Sequence, residues 1–190
     1  MATVLVPIAN GSEEIEAVTI IDVLRRAGVE VIVAGLDSGS ITASRGVVLT
    51  PDTTLAKVHV ADLDMVALPG GGPGTELLRK SRLLKAVLNC VFDNGGYIAA
   101  MCAAPKVLAE HGFLDGRRAT WYPGIELDSP GIVRENEPVV VDGRIITSQG
   151  PGTAMPFALM LVQALCGEAK AQEIAVGLLT PWPLPKPPRA

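Results

Sequence analysis

The feature that most constrains the fold is a set of four short runs that stay apolar almost without interruption. They are TVLVPIA (Thr3–Ala9), EVIVAGL (Glu30–Leu36), DMVALP (Asp64–Pro69) and YIAAM (Tyr97–Met101). A strand with one wet face alternates apolar and polar side chains, whereas a run without alternation has to be covered on both faces. Helix-like segments follow three of these runs, at Glu13–Arg26, Thr75–Phe92 and Ala103–Leu114, with turn residues such as Asn10-Gly11 in between. Strands of this kind alternating with helices predict an α/β architecture, a mostly parallel sheet with helices on both faces and right-handed crossovers. Two more stretches, SITASRGVVLTPDTTL (Ser40–Leu55) and PVVVDGRIITSQ (Pro138–Gln149), alternate around turn signals. They predict antiparallel additions to the parallel core, with a β-hairpin at Asp142-Gly143. Helices over Thr153–Cys166 and Glu168–Leu179 complete one domain spanning residues 1–180. The Pro-rich end, TPWPLPKPPRA, can neither continue a helix nor join a central strand, so residues 181–190 are expected to form an extended, flexible tail.

Composition narrows the function. Hydrophobic residues make up 48% of the 190 and charged ones 19%, enough for a packed core. The net charge is -4 and the basic residues are scattered, which disfavours nucleic acid and anionic membranes as partners. No run reaches the ~18 apolar residues of a membrane span, and the first residues lack the features of a signal peptide, so a cytoplasmic protein is expected. Cys90, Cys102 and Cys166 are odd in number and far apart, which predicts free thiols rather than disulfides or a metal site.

In an open parallel sheet, ligands bind beyond the carboxyl ends of the strands. Three features fall there: the acids Glu13, Glu14 and Glu16, the loop PGGGPG (Pro69–Gly74), and Cys102 in YIAAMCAAPKVL. Cys102 stands at a strand-to-helix switch, with Ala103, Ala104 and Pro105 as the expected first helical turn. Such an elbow leaves the sulfur uncovered, and the helix dipole with its free N–H groups is expected to favour thiolate. A small buried hydrophobe is the alternative reading of the same cysteine. Glu16 shares a helical ladder with Ile20 and Val23 and should face the sheet, where burial would raise its pKa and keep it protonated. Its alternative is a third acid complementing the dipole, the role given to Glu13 and Glu14. Gly70, Gly71 and Gly72 allow close approach to a ligand and could offer oxyanion donors together with Ala103 N–H. The loop fits neither the phosphate-binding nor the dinucleotide pattern, so no cofactor is expected. His111 lies ~13 Å along its helix from Cys102 and His59 lies in a loop, which disfavours a Cys-His protease or amidohydrolase. Cys90 and Cys166 sit at apolar-periodic helical positions and are expected in the core.

The ordered motifs GSEEIEAV, LRRAGVEVIVAGL, SRGV, LPGGGPG, AAMCAAP and TSQGPGTA resemble the DJ-one/ThiJ/PfpI superfamily, on the branch of the parkinsonism-associated deglycase and bacterial YajL. The resemblance covers Thr3–Leu179 and implies a flavodoxin-like three-layer sandwich, usually a homodimer. It implies that Cys102 is the nucleophile and redox-sensitive thiol, that Glu16 is the acid at its sulfur, and that Gly71 and Ala103 donate the oxyanion-binding N–H groups. Arg26 and Arg45 match basic residues near the family's site, with Arg45 expected to reach it across the dimer interface, and Pro151 matches a position beside the pocket. Tyr122 stands where the deglycase has a histidine, and Thr50 where the branch has a further cysteine, so neither imidazole nor metal chemistry is implied. The activity implied is glyoxalase or deglycase chemistry on methylglyoxal, glyoxal or early glycation adducts, without glutathione. An oxidative-stress sensor or redox-regulated chaperone, with Cys102 oxidised to sulfinate, is the second expectation.

Overall fold

A computed structural model describes residues 1–182. The strands are β1 (Thr3–Ile8), β2 (Glu30–Gly35), β3 (Ile41–Thr42), β4 (Val48–Leu49), β5 (Thr53–Thr54), β6 (Met65–Leu68), β7 (Tyr97–Met101), β8 (Arg118–Ala119), β9 (Val133–Arg134), β10 (Val139–Asp142) and β11 (Ile145–Ser148). The α-helices are α1 (Glu14–Arg26), α2 (Gly72–Lys80), α3 (Arg82–Asp93), α4 (Pro105–Glu110), α5 (Ala154–Cys166) and α6 (Glu168–Gly177).

Seven strands form the central sheet in the order β10-β11-β7-β6-β1-β2-β5, parallel except for the β10–β11 hairpin. The fully apolar runs occupy its middle, as two-sided burial demands. Period-two alternation splits each of them between two cores. Val4, Val6, Ile8, Met65, Ala67, Ala99 and Met101 pack on the face covered by α1, α5 and α6. Leu5, Val66, Leu68, Ile98 and Ala100 pack on the other face, with α3 and α4. Helix, sheet and helix make the three layers of a flavodoxin-like α/β sandwich.

Two local expectations change. The helix expected over Thr75–Phe92 is two helices, because Ser81 adopts an extended backbone and its hydroxyl accepts the Leu84 N–H at 3.1 Å, capping α3. The Ser40–Leu55 stretch does not extend the core antiparallel: β3 and β4 pair only with each other, while β5 joins β2 in parallel. The tail expected over 181–190 lies, from residue 183 onward, outside the described residues. Among the described residues no helix is long and apolar enough to cross a membrane.

Candidate active site

The chain winds from β1 through β2 to one edge of the sheet, then returns to the other side of β1 with β6, β7 and β11. The loops after β1, β6 and β7 therefore meet at a reversal of winding, where open α/β sheets form their binding crevice. The first two are stitched together by Glu13 N–H donating to the Gly70 carbonyl at 3.0 Å. Contact is so close that a Cβ on Gly71 (φ +90°) would lie 2.2 Å from the Gly11 carbonyl oxygen. A Cβ on Gly70 would lie 2.7 Å from Cys102 Cβ and 2.8 Å from Glu16 Oε2. Glycine at both positions is what lets the thiol, the carboxyl and the loop share one small volume.

Cys102 follows β7 directly and has φ +60°, a left-handed conformation that costs a non-glycine residue about 1–3 kcal/mol. Its neighbours hold it there: Cys102 N–H donates to the Ser148 carbonyl and Tyr122 N–H donates to the Cys102 carbonyl, each at 3.0 Å. The bend leaves the side chain half-buried at a cleft of about 410 Å³, whose wall includes Glu13, Arg45, Gly71, Tyr122 and Pro151.

Glu16 belongs to the first turn of α1, on the face that buries Ala17, Ile20, Val23 and Leu24, and it is 0% exposed. Oε2 accepts the Gly70 N–H at 2.7 Å; Oε1 is buried without a partner among the described residues. Burial pushes the carboxyl up to about 7, opposed by hydrogen bonds from Gly70 and Cys102. Burial also dominates at Cys102, followed by the charge of Glu16 and its hydrogen bond, and pushes the thiol up to about 12. The N–H groups of Gly71 and Ala103 act in the opposite direction. The thiolate expected from the helix dipole is thus corrected: α4 begins only at Pro105 and spans six residues, so its field is weaker than burial beside a carboxylate. Thiol and carboxyl are coupled, and a thiolate is less disfavoured when the proton sits on Glu16, which removes the repelling charge.

Glu14, also buried, differs. Its Oε2 accepts the Ser44 hydroxyl at 2.8 Å and its Oε1 accepts the N–H groups of Arg45 at 2.8 Å and Val47 at 3.5 Å. Burial alone would raise its pKa, but these bonds and its own backbone outweigh it and hold the carboxyl below the usual range.

Residues 2–164 match the model of the DJ-1/PfpI family. The chain belongs to that family. The DJ-1/PfpI relative protein dj-1beta of Drosophila melanogaster is 45% identical over 184 residues, covering 94% of this chain and 97% of that protein. The glutathione-independent glyoxalase DJR-1.2 of Caenorhabditis elegans is 34% identical over 174 residues, 91% of this chain and 92% of that one. Among solved structures, oxidized Toxoplasma gondii DJ-1 superposes with a TM-score of 0.89 at 42% identity, covering 96% of this chain and 100% of that chain.

Of the residues expected from sequence in this DJ-1/PfpI chain, Cys102, Glu16, Gly71 and Ala103 come together, and Arg45, Tyr122 and Pro151 line the same cleft. Arg45 lies in its own chain's cleft. Arg26 does not join them. It occupies the last turn of α1, ~15 Å along the axis from Glu16, and pairs with Asp22 at 2.6 Å. Cys90 and Cys166 are exposed, not core: the buried ladder of α3 runs through Leu84, Val87, Leu88 and Val91, and Cys166 ends α5. Neither histidine lines the cleft. His111 caps α4 with both ring nitrogens buried and without a partner among the described residues, and burial together with Lys85 lowers its pKa. Sequence reading missed the anchoring role of Glu14 and its partner Ser44. A first-turn acid already has a local explanation, and its real partners lie about thirty residues away.

Proposed function

We propose that this DJ-1/PfpI protein is a cysteine-dependent glyoxalase that converts 2-oxoaldehydes such as methylglyoxal and glyoxal into 2-hydroxyacids. The reading needs neither glutathione nor a metal. It is carried by one observation: a fully buried carboxyl with an unpartnered oxygen shares its pocket with a half-buried thiol at an open cleft. With the proton on Glu16, the Cys102 thiolate adds to the aldehyde carbon, and Glu16 gives its proton to the carbonyl oxygen, forming a hemithioacetal. The N–H groups of Gly71 and Ala103 stand beside the sulfur, where negative charge develops. The Glu16 carboxylate next removes the proton from the former aldehyde carbon, leaving an enediolate, and returns it to the adjacent carbonyl carbon, while the hydroxyl proton on the former aldehyde oxygen passes to the neighbouring oxygen. The product is a 2-hydroxyacyl thioester. Attack by water releases the hydroxyacid and restores the thiol, with no net oxidation. A carboxyl held up to about 7 suits both directions of this transfer near neutrality. Deglycation of early adducts would begin from the same two groups. The name of the Caenorhabditis elegans relative supports the reading.

The test is D/L-lactate formation from methylglyoxal in glutathione-free buffer. Cys102→Ser should lower the rate by more than about a thousandfold, and Glu16→Gln by about 10²–10⁴-fold. Unchanged turnover in either variant would remove the proposal.

A sensing role is the second reading, favoured by the N–H donors and protonatable Glu16 around the sulfur and by the oxidized Toxoplasma gondii relative. Mild peroxide should then place two oxygens on Cys102 ahead of the more exposed Cys90 and Cys166.

A further inference from the structure

We propose that Glu14 is a positioning residue that fixes Arg45 in the cleft wall and so biases Cys102 toward electrophiles carrying negative charge. Arg45 follows β3 in the segment 43–47, which is anchored to α1 through the Glu14 carboxylate. One of the three anchoring donors is the N–H of Arg45 itself, at 2.8 Å. The Ser44 hydroxyl fixes the residue before it, and Ser44 N–H adds a bond to the Ser12 carbonyl at 2.9 Å. The guanidinium is therefore carried on a backbone held from both sides. Arg45 lines the cleft that holds Cys102, and its guanidinium has no carboxylate within 4.0 Å among the described residues. The other charged wall residue, Glu13, has its carboxylate turned to the helix start, where Oε2 accepts Glu16 N–H at 2.8 Å. An anion entering the cleft thus meets a cation not paired with any carboxylate among the described residues, and that cation's place depends on a residue that does not line the cleft.

The inference deepens the glyoxalase reading by naming the class of aldehyde the site prefers, those bearing a carboxylate or similar anion. It rests on that reading only for this consequence, because alkylation reports on Cys102 without turnover. In the test, the sulfur displaces iodide from iodoacetate or from neutral iodoacetamide, and the ratio of the two rates at Cys102 is followed by mass spectrometry. Glu14→Ala should lower the iodoacetate-to-iodoacetamide ratio about fivefold, the scale of one solvent-facing charge, with the iodoacetamide rate within twofold of the parent. Glu14→Gln keeps a carbonyl oxygen for Arg45 N–H and should restore at least half of the loss. Arg45→Ala should match Glu14→Ala, and the double variant should fall no further than either alone, since both remove one effect. Additive losses, an unchanged ratio in Glu14→Ala, or an equal collapse of both rates would each overturn the proposal. If the ratios behave as expected but lactate is not formed, the positioning role stands and the glyoxalase reading fails.

Discussion

Glu14 and Glu16 stand two residues apart in the first turn of α1, both shielded from water, yet the regions around them treat a carboxylate in opposite ways. The loop anchor supplies Glu14 with three donors, and its charge is stabilised. The thiol cleft supplies Glu16 with the Gly70 N–H, leaves Oε1 unpartnered and sets a second ionisable group beside it. Burial is the largest influence on both groups; the number of donors decides which way each one moves. A fully paired carboxylate makes a structural tie. An underpaired one keeps its proton to higher pH and can pass it on.

The largest effect that would break this contrast is in the pH dependence of stability. Glu16 retains its proton in the folded state up to about 7, against 4.5 when unfolded, so the folded chain binds more protons between those values. Stability from this group is fully present below about 4.5 and lost as pH rises through about 7, on the order of 3 kcal/mol if the whole shift is expressed. Urea unfolding should show the parent protein losing stability from pH 4.5 to 8 and Glu16→Gln losing much less, so that the variant is the more stable at pH 8. Glu14 has the opposite sign, because its folded pKa is lowered: its contribution is present above the unfolded value and disappears only as pH falls below about 4.5. Parallel pH profiles for Glu16→Gln and the parent would refute the distinction.

The second prediction concerns what keeps the two regions different. Gly70 supplies the hydrogen bond to Glu16 while leaving space for Cys102, and a Cβ there would sit under 3 Å from both. Gly70→Ala should cost about 1–3 kcal/mol in unfolding free energy through overpacking and slow Cys102 alkylation by iodoacetamide at least tenfold. The Glu14 anchor is built from different partners, Ser44, Arg45 and Val47, so the Glu14-dependent ratio of anionic to neutral alkylation should survive in whatever reactivity remains.

Much of this was legible from sequence because its causes are local or periodic. Unbroken apolar runs could only be central strands, and the spacing of Glu16, Ile20 and Val23 places a carboxyl toward the sheet. The order of small residues around Cys102 carried the elbow. What escaped depends on distant partners. Nothing near Glu14 announces Ser44 to Val47, and the balance of burial against a six-residue helix at Cys102 requires the packed geometry. At Cys90 the core position expected from helical periodicity was wrong: the buried ladder of α3 runs through Leu84, Val87, Leu88 and Val91 and leaves the thiol exposed.

The smallest predicted effect tests whether basic residues on α1 belong to the chemistry of the cleft in a single chain. Arg26 shares the helix with both acids but at its far end, where its guanidinium and Asp22 are each about half exposed. A solvent-facing pair one helical turn apart contributes little, and that little is largely screened by salt. Arg26→Ala should therefore leave the urea midpoint nearly unchanged, and in monomeric protein it should leave both Cys102 alkylation rates unchanged. A clear fall in the iodoacetate rate would mean that the charge at the far end of α1 reaches the thiol, and that Arg45 alone does not account for the field Cys102 feels. The measurement belongs in dilute and concentrated protein alike, since a change seen only at high concentration would assign Arg26 to a neighbouring copy's cleft.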